Sequence, residues 1–148
     1  MSRTKTAAPV TTEHVGFLLA KASQRFNELL REGFAARGLG EVRASYGSVL
    51  VPLFERDGLR LGELAAASRL SKQAMTGLVR QCEEDGLVER RRDPVDGRAF
   101  NVHLTAHGRS VRAAAEEILT ELDEALVQSL GARDRDGLVR SLKGVMEL

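Results

Sequence analysis

The 148-residue chain has one cysteine, Cys82, no tryptophan and only 4% aromatic residues. A lone cysteine excludes an internal disulfide and a cysteine metal cluster, and it fits a reducing, cytoplasmic setting. So few aromatics leave a core of Leu, Val and Ala, which suits helices better than a β-sandwich. No apolar run approaches the roughly 18 residues of a membrane helix, so no membrane partner is expected. The opening stretch MSRTKTAAPV lacks the apolar centre of a signal peptide. His14, His103 and His107 are the only histidines. The last two are four residues apart, but a strand-to-helix junction separates them, so three or four zinc ligands at suitable spacing are missing. No nucleophile elbow, phosphate loop or paired catalytic carboxylate stands out. Acidic pairs such as Glu116-Glu117 read as solvated helix face. The chain is therefore expected to be no enzyme and to need no metal or cofactor.

What is present is 43% apolar and 29% charged residues, enough to bury a core. The net charge of +1 is unevenly spread: residues 68–112 carry +3, residues 113–148 carry −4 and residues 1–67 carry +2. A basic middle on an acidic support is consistent with a polyanionic partner; ordinary surface variation would look the same.

Residues 1–10 read as flexible. Thr12 is the expected N-cap of a helix over about 13–36, with Val15, Leu18, Leu19, Ala22, Phe26, Leu29, Leu30 and Phe34 at three- and four-residue steps. Gly38 and Gly40 end it. A second helix is expected over about 43–56, with Pro52 inside it. Proline there predicts a kink, and a helix broken in two fits as well. Leu59 and Leu61 suggest a very short strand. A short helix over 63–67 follows, then the turn Ser68-Arg69-Leu70, then a helix capped by Ser71 and stopped by Gly86. Residues 87–92 and 99–104 alternate as strands, with Phe100, Val102 and Leu104 on one side. Asp93-Pro94-Val95-Asp96-Gly97 between them is turn chemistry. Thr105 caps a long helix that ends at Gly131, and a last helix spans about 134–147 with Leu138, Leu142, Val145 and Met146.

On a helical wheel, residues 71–85 divide into two faces. Ser71, Met75, Leu78, Val79 and Cys82 cluster on one. Gln73, Thr76, Gly77, Arg80 and Glu84 lie on the other, with Lys72 at the border. A helix in the major groove reads bases through residues near its N-terminus. Gln73 suits adenine, Arg80 guanine or phosphate, and Thr76 a methyl group or phosphate. Ser71, the first-turn amides and Lys72 can hold phosphate. The bland alternative is a solvated polar face; the short helix, tight turn and ribbon around it argue for reading. On the ribbon, Arg90, Arg92 and Arg98 are the candidate contacts, with Arg98 best placed for a minor groove and Asp93 or Asp96 able to orient it. Alternation turns one of Arg90, Arg91 and Arg92 away from the others. Charges that merely blunt an edge strand are the competing reading.

The run from Glu63 to Gly108 resembles the MarR family of bacterial transcription regulators. Glu63-Leu64-Ala65, Ser71-Lys72-Gln73, Asp85-Gly86-Leu87-Val88, the Asp93-Pro94-x-Asp96-x-Arg98 wing and Leu104-Thr105-x-x-Gly108 match it in order and spacing, and the long flanking helices extend the resemblance over nearly the whole chain. It implies a mainly α fold with a small β-hairpin wing: one MarR-like domain over 1–148, a winged helix-turn-helix over 43–104, and helical dimerisation parts over 11–36 and 105–148. It also implies a homodimer on a pseudo-palindromic double-stranded DNA operator, and a repressor relieved by a small aromatic or phenolic effector. Phe17, Tyr46, Leu50, Pro52 and Phe54 are candidates by position for the effector pocket, Tyr46 as a hydrogen-bond donor; core or surface packing is the competing role for each. The sequence departs from the family at Gly77, where many members carry a polar or basic side chain, and in lacking the N-terminal cysteine of redox-sensing members. Cys82, on the buried face of the reading helix, reads as packing, with a sensing role as the alternative. The alternative reading is a winged-helix module that binds another protein and does not read DNA.

Overall fold

In the computed structural model, which describes residues 6–148, the first helix starts two residues later than expected. The Thr11 hydroxyl accepts from the Glu13 amide and the Thr11 carbonyl from the His14 amide, a turn that holds Thr12 outside the helix. His14 is the N-cap, its Nδ1 accepting from Gly16 N at 2.9 Å. α1 runs Val15–Ala36 and ends in a left-handed Gly38, with the Leu39 amide bonded back to the Phe34 carbonyl. Of the stretch expected to be flexible, residues 1–5 lie outside the described residues; residues 6–10 carry no regular structure.

The second helix is preceded by a 3₁₀ turn, Ala44–Tyr46, and α2 spans Gly47–Glu55. The change of helix type falls before Gly47 rather than at Pro52, which sits inside α2. Left-handed Gly58 then leads into β1, Leu59–Arg60. Leu61, expected in that strand, instead begins α3, Leu61–Ala67, where the Glu63 carboxylate accepts from the Arg60 amide at 3.1 Å and fixes the start. After the turn, α4 covers Lys72–Glu84 and stops at left-handed Gly86.

β2 (Val88–Arg92) and β3 (Phe100–Leu104) pair antiparallel, with Val88 opposite Leu104, Arg90 opposite Val102 and Arg92 opposite Phe100. β1 adds to the free side of β3, Leu59 opposite Val102, so the expected hairpin is part of a three-stranded sheet of order β1-β3-β2. α5, Ala106–Leu130, and α6, Ala132–Met146, complete the chain.

One junction locks the sheet to α4 and α5. Thr105 caps α5 by accepting from Gly108 N, while its hydroxyl donates to the Gly86 carbonyl at 2.6 Å. The Thr105 amide bonds the Leu87 carbonyl. A Cβ on Gly108 would lie 2.1 Å from that carbonyl oxygen, so only glycine fits. The core joins Leu53, Leu64, Met75, Val79, Leu87, Val102 and Val111, all buried, with Phe34 and Ile118 where α1 crosses α5.

The far ends of the long helices are different. Beyond Ile118 no residue of α5 is buried, and α6 has no buried residue. Val15, Leu18, Leu130, Leu138, Leu142 and Val145 are exposed. Among the described residues no helix is long and apolar enough to cross a membrane.

Candidate nucleic-acid interface

α4 separates its two faces as its wheel requires. Met75, Val79 and Cys82 are buried against the core, and Leu78 is half-buried. Lys72, Gln73 and Arg80 are exposed on the outer side. The Ser71 hydroxyl accepts from the Ala74 amide at 3.1 Å, so this side chain is occupied as a cap. Thr76 is half-buried, and its hydroxyl donates to the Lys72 carbonyl at 2.7 Å, leaving its acceptor side and methyl group available. A Cβ at Gly77 would meet nothing within 4 Å, so nothing in the chain's own packing requires glycine there. Burial pushes the Cys82 thiol up to about 12, which keeps it protonated and in a packing role.

The wing arginines fall on two faces. Arg91 turns away and pairs with Glu89, its Nε 2.8 Å from the carboxylate. Arg90 and Arg92 share the Phe100 side. Arg90 is held by Glu83 of α4 through Nε and Nη2, each at 3.2 Å, and Arg92 donates to the Gly97 carbonyl. Among the described residues, Lys72, Arg80, Arg92 and Arg98 have no carboxylate partner. Among the described residues nothing neutralises their charges.

The expectation that Asp93 or Asp96 orients the Arg98 guanidinium is corrected. The Asp93 carboxylate accepts from the Asp96 and Val95 amides at 3.0 and 2.8 Å and from the Arg60 guanidinium at 3.0 Å. Those two amides, then Arg60, hold it well below the usual carboxylate range. Asp96 accepts from the backbone amide of Arg98 at 3.1 Å, not from its side chain. Both aspartates shape the turn that carries Arg98; short acidic side chains close to their own backbone meet its amides first.

The effector-pocket candidates separate. Leu50 and Phe54 line an apolar cavity of about 120 Å³ between α1, α2 and α5, with Leu30, Phe34, Ala115 and Leu119 around it and Arg43 at its edge. Phe17 lies exposed under Lys21 near the start of α1, and Pro52 faces a separate shallow surface depression beside Ser68. Tyr46 is corrected as a ligand donor: it is buried, and its hydroxyl donates to Asp85 at 2.5 Å. Burial and that carboxylate push the phenol up to about 12. The bond ties the 3₁₀ turn to the C-cap of α4.

Phe100, on the same side of β3 as the buried Val102 and Leu104, is 46% exposed. Neither it nor Arg60 and Glu83, which brace the wing, was among the sequence candidates. The strand register could have pointed to Phe100, since it places an aromatic directly across from Arg92.

Two short helices joined by a tight turn, the second exposing a polar face beside an arginine-bearing hairpin, define a winged helix-turn-helix protein. The MarR family model matches residues 45–100, from the 3₁₀ turn to the start of β3. The HTH-type transcriptional repressor YetL of Bacillus subtilis (strain 168) is 30% identical over 130 residues, covering 84% of this chain and 74% of its own. The chain belongs to the MarR family of transcription regulators. Two solved structures with the same fold are each 25% identical. The transcriptional repressor CouR bound to a 23-mer DNA duplex gives a TM-score of 0.78 over 94% of this chain and 99% of CouR. The Mycobacterium tuberculosis protein Rv2887, in complex with salicylic acid, gives 0.62 over 95% and 98%.

Proposed function

We propose that the protein is a homodimeric, sequence-specific DNA-binding repressor. Residues 43–104 form its reading part, and residues 11–36 and 105–148 form its dimerisation part. One observation carries the reading. α4 buries Met75, Val79 and Cys82 and turns Gln73 and Arg80 outward, beside Arg92 and Arg98 of the wing, which have no carboxylate partner among the described residues. In this reading Ser71, Lys72 and the first-turn amides of α4 meet phosphate. Gln73, Thr76 and Arg80 meet base edges, and Arg90, Arg92 and Arg98 grip the backbone and minor groove. Asp93 and Asp96 support the wing turn. Repression follows from covering promoter DNA in the cytoplasm. The likeness to CouR, seen on a DNA duplex, supports it.

The exposed apolar ends of α1, α5 and α6 support a partner of the same chain, since two copies bury these faces against each other. The cavity of about 120 Å³ supports a small aromatic or phenolic effector. A dry apolar cavity of roughly 150 Å³ takes benzene, so one ring enters here with slight opening. A ligand wedged between α1, α2 and α5 would change the spacing of the two reading helices. The likeness to Rv2887, solved with salicylic acid, is in the same direction.

The test is binding of a promoter fragment and of a random duplex across a salt series. Expected are preference for the promoter fragment and an affinity that falls steeply with salt. Equal binding of both duplexes, or no salt dependence, overturns the reading. Selection from a random pool should return two half-sites about 10–10.5 base pairs apart or at a multiple of that spacing.

A further inference from the structure

β3 alternates correctly, yet its first inward position carries a large aromatic ring that the core does not cover. Val102 and Leu104 are buried, while Phe100 is 46% exposed. The register puts Arg92 directly across from Phe100 and Arg90 one pair further along the same face. Their guanidinium carbons lie 5.9 and 6.0 Å from the Phe100 ring centroid. The ring also lines the cleft between α4 and the wing, where Thr76, Val79 and Arg80 meet it.

We propose that Phe100 is a positioning residue of the nucleic-acid interface, holding the Arg90 and Arg92 guanidinium groups at the cleft between α4 and the wing. The proposal rests on the DNA-binding reading above. A carboxylate would order an arginine too, but it would also neutralise the charge and occupy its donors, as Glu89 does for Arg91. An aromatic face attracts the guanidinium through its quadrupole and leaves the in-plane N–H groups free. For Arg92, which has no carboxylate partner, the ring is the side-chain contact that restricts it without cancelling its charge. For Arg90 the ring fixes the direction in which the Glu83 pair leaves it pointing. A side chain ordered before binding loses less freedom when it meets a phosphate.

The experiment compares Phe100→Leu, which keeps apolar cover and removes the π face, with Phe100→Tyr, which keeps both. The first readout needs no DNA: the Nε–Hε resonances of Arg90 and Arg92, assigned with R90K and R92K. In the parent chain and in F100Y both should be displaced by the ring current, and in F100L both should lose that displacement, the Arg90 resonance keeping only the shift that its Glu83 bond gives it. The second readout is affinity for a duplex selected by the parent protein, followed over salt. F100L should bind about three- to tenfold more weakly with a shallower salt slope, and F100Y within about twofold of the parent, with dimerisation and thermal midpoint kept. Phe100→Met serves as a second non-aromatic variant should F100L lose its thermal transition. Arginine resonances that are the same in F100L and the parent overturn the proposal. So does parent-like DNA binding by F100L. A parent chain with ring-shifted arginines that binds no DNA overturns the DNA reading, and with it this role.

Discussion

The Ser68 hydroxyl donates to the Ser48 carbonyl at 2.5 Å, and Ser48 is the residue whose carbonyl Pro52, four positions on in α2, has no amide to meet. Proline inside a helix removes that bond. Here the C-cap residue of α3 supplies the missing donor, which explains why α2 continues through Pro52. Ser68→Ala should strip a part-buried carbonyl of its partner and cost about 1–2 kcal/mol. Pro52→Ala returns an amide to the same carbonyl, so in that background Ser68→Ala should cost less than half as much. Urea midpoints of the two single variants and the double variant check this. Equal cost in both backgrounds would mean that the two residues do not share the carbonyl.

The same pair marks where sequence reading stops. The local signals resolved well: Ser71 and Thr105 cap their helices, Gly86 and Gly131 end them, and the two strands read from alternation pair as a hairpin. What failed needed a partner distant in sequence. The donor to the Ser48 carbonyl is Ser68, 20 residues on, the acceptor for Tyr46 is Asp85, 39 residues on, and Asp93 is met by Arg60, 33 residues back. Alternation placed Phe100 on one side of β3 with Val102 and Leu104, but it could not tell that the core ends before the wing tip. Residue type and spacing chose the outer face of α4. They could not show that Arg90 is held by Glu83 while Arg92 and Arg98 have no carboxylate partner.

Asp93 makes the wing sensitive to acid. Its carboxyl sits well below the usual range because the Asp96 and Val95 amides and Arg60 favour the charged form. The unfolded carboxyl titrates near about 3.9, so the folded chain holds fewer protons at this site. The stability it contributes is therefore complete above about pH 4 and is lost as pH falls through the lower, folded value. Glu41 and Glu63 are shifted in the same sense and add to the slope. Asp93→Asn should flatten, without abolishing, the fall in urea midpoint between about pH 5 and 2. A slope identical to that of the parent chain would contradict the assignment.

Gly77 separates folding from reading. No neighbour opposes a methyl group there, so Gly77→Ala should stabilise α4 by about 0.8–1 kcal/mol. If the helix backbone lies close against the groove, the same methyl should weaken DNA binding severalfold despite the higher thermal midpoint. Opposite signs in the two measurements are expected. Binding that is unchanged or tighter would show that Gly77 merely omits a contact.

The apolar face of α6 sets the last prediction. Leu138, Leu142 and Val145 are spaced four and three residues apart and so share one side of the helix, with 38–44% of each residue exposed. Leu130 at the end of α5 and Val15 and Leu18 at the start of α1 are exposed as well. Burying one such side chain fully is worth about 1.5–3 kcal/mol, and a twofold interface counts each position twice. Leu142→Glu would place a carboxylate at both symmetry-related sites, where it must lose water without a partner. It should split the proposed dimer at micromolar concentration, read as a halved mass by light scattering. The far-UV helix signal should stay near that of the parent, because no core residue lies on α6. Affinity for a two-half-site duplex should collapse towards that for a single half-site, since each monomer then binds alone. An L142E protein that remains dimeric would place the interface on another face of the helical part.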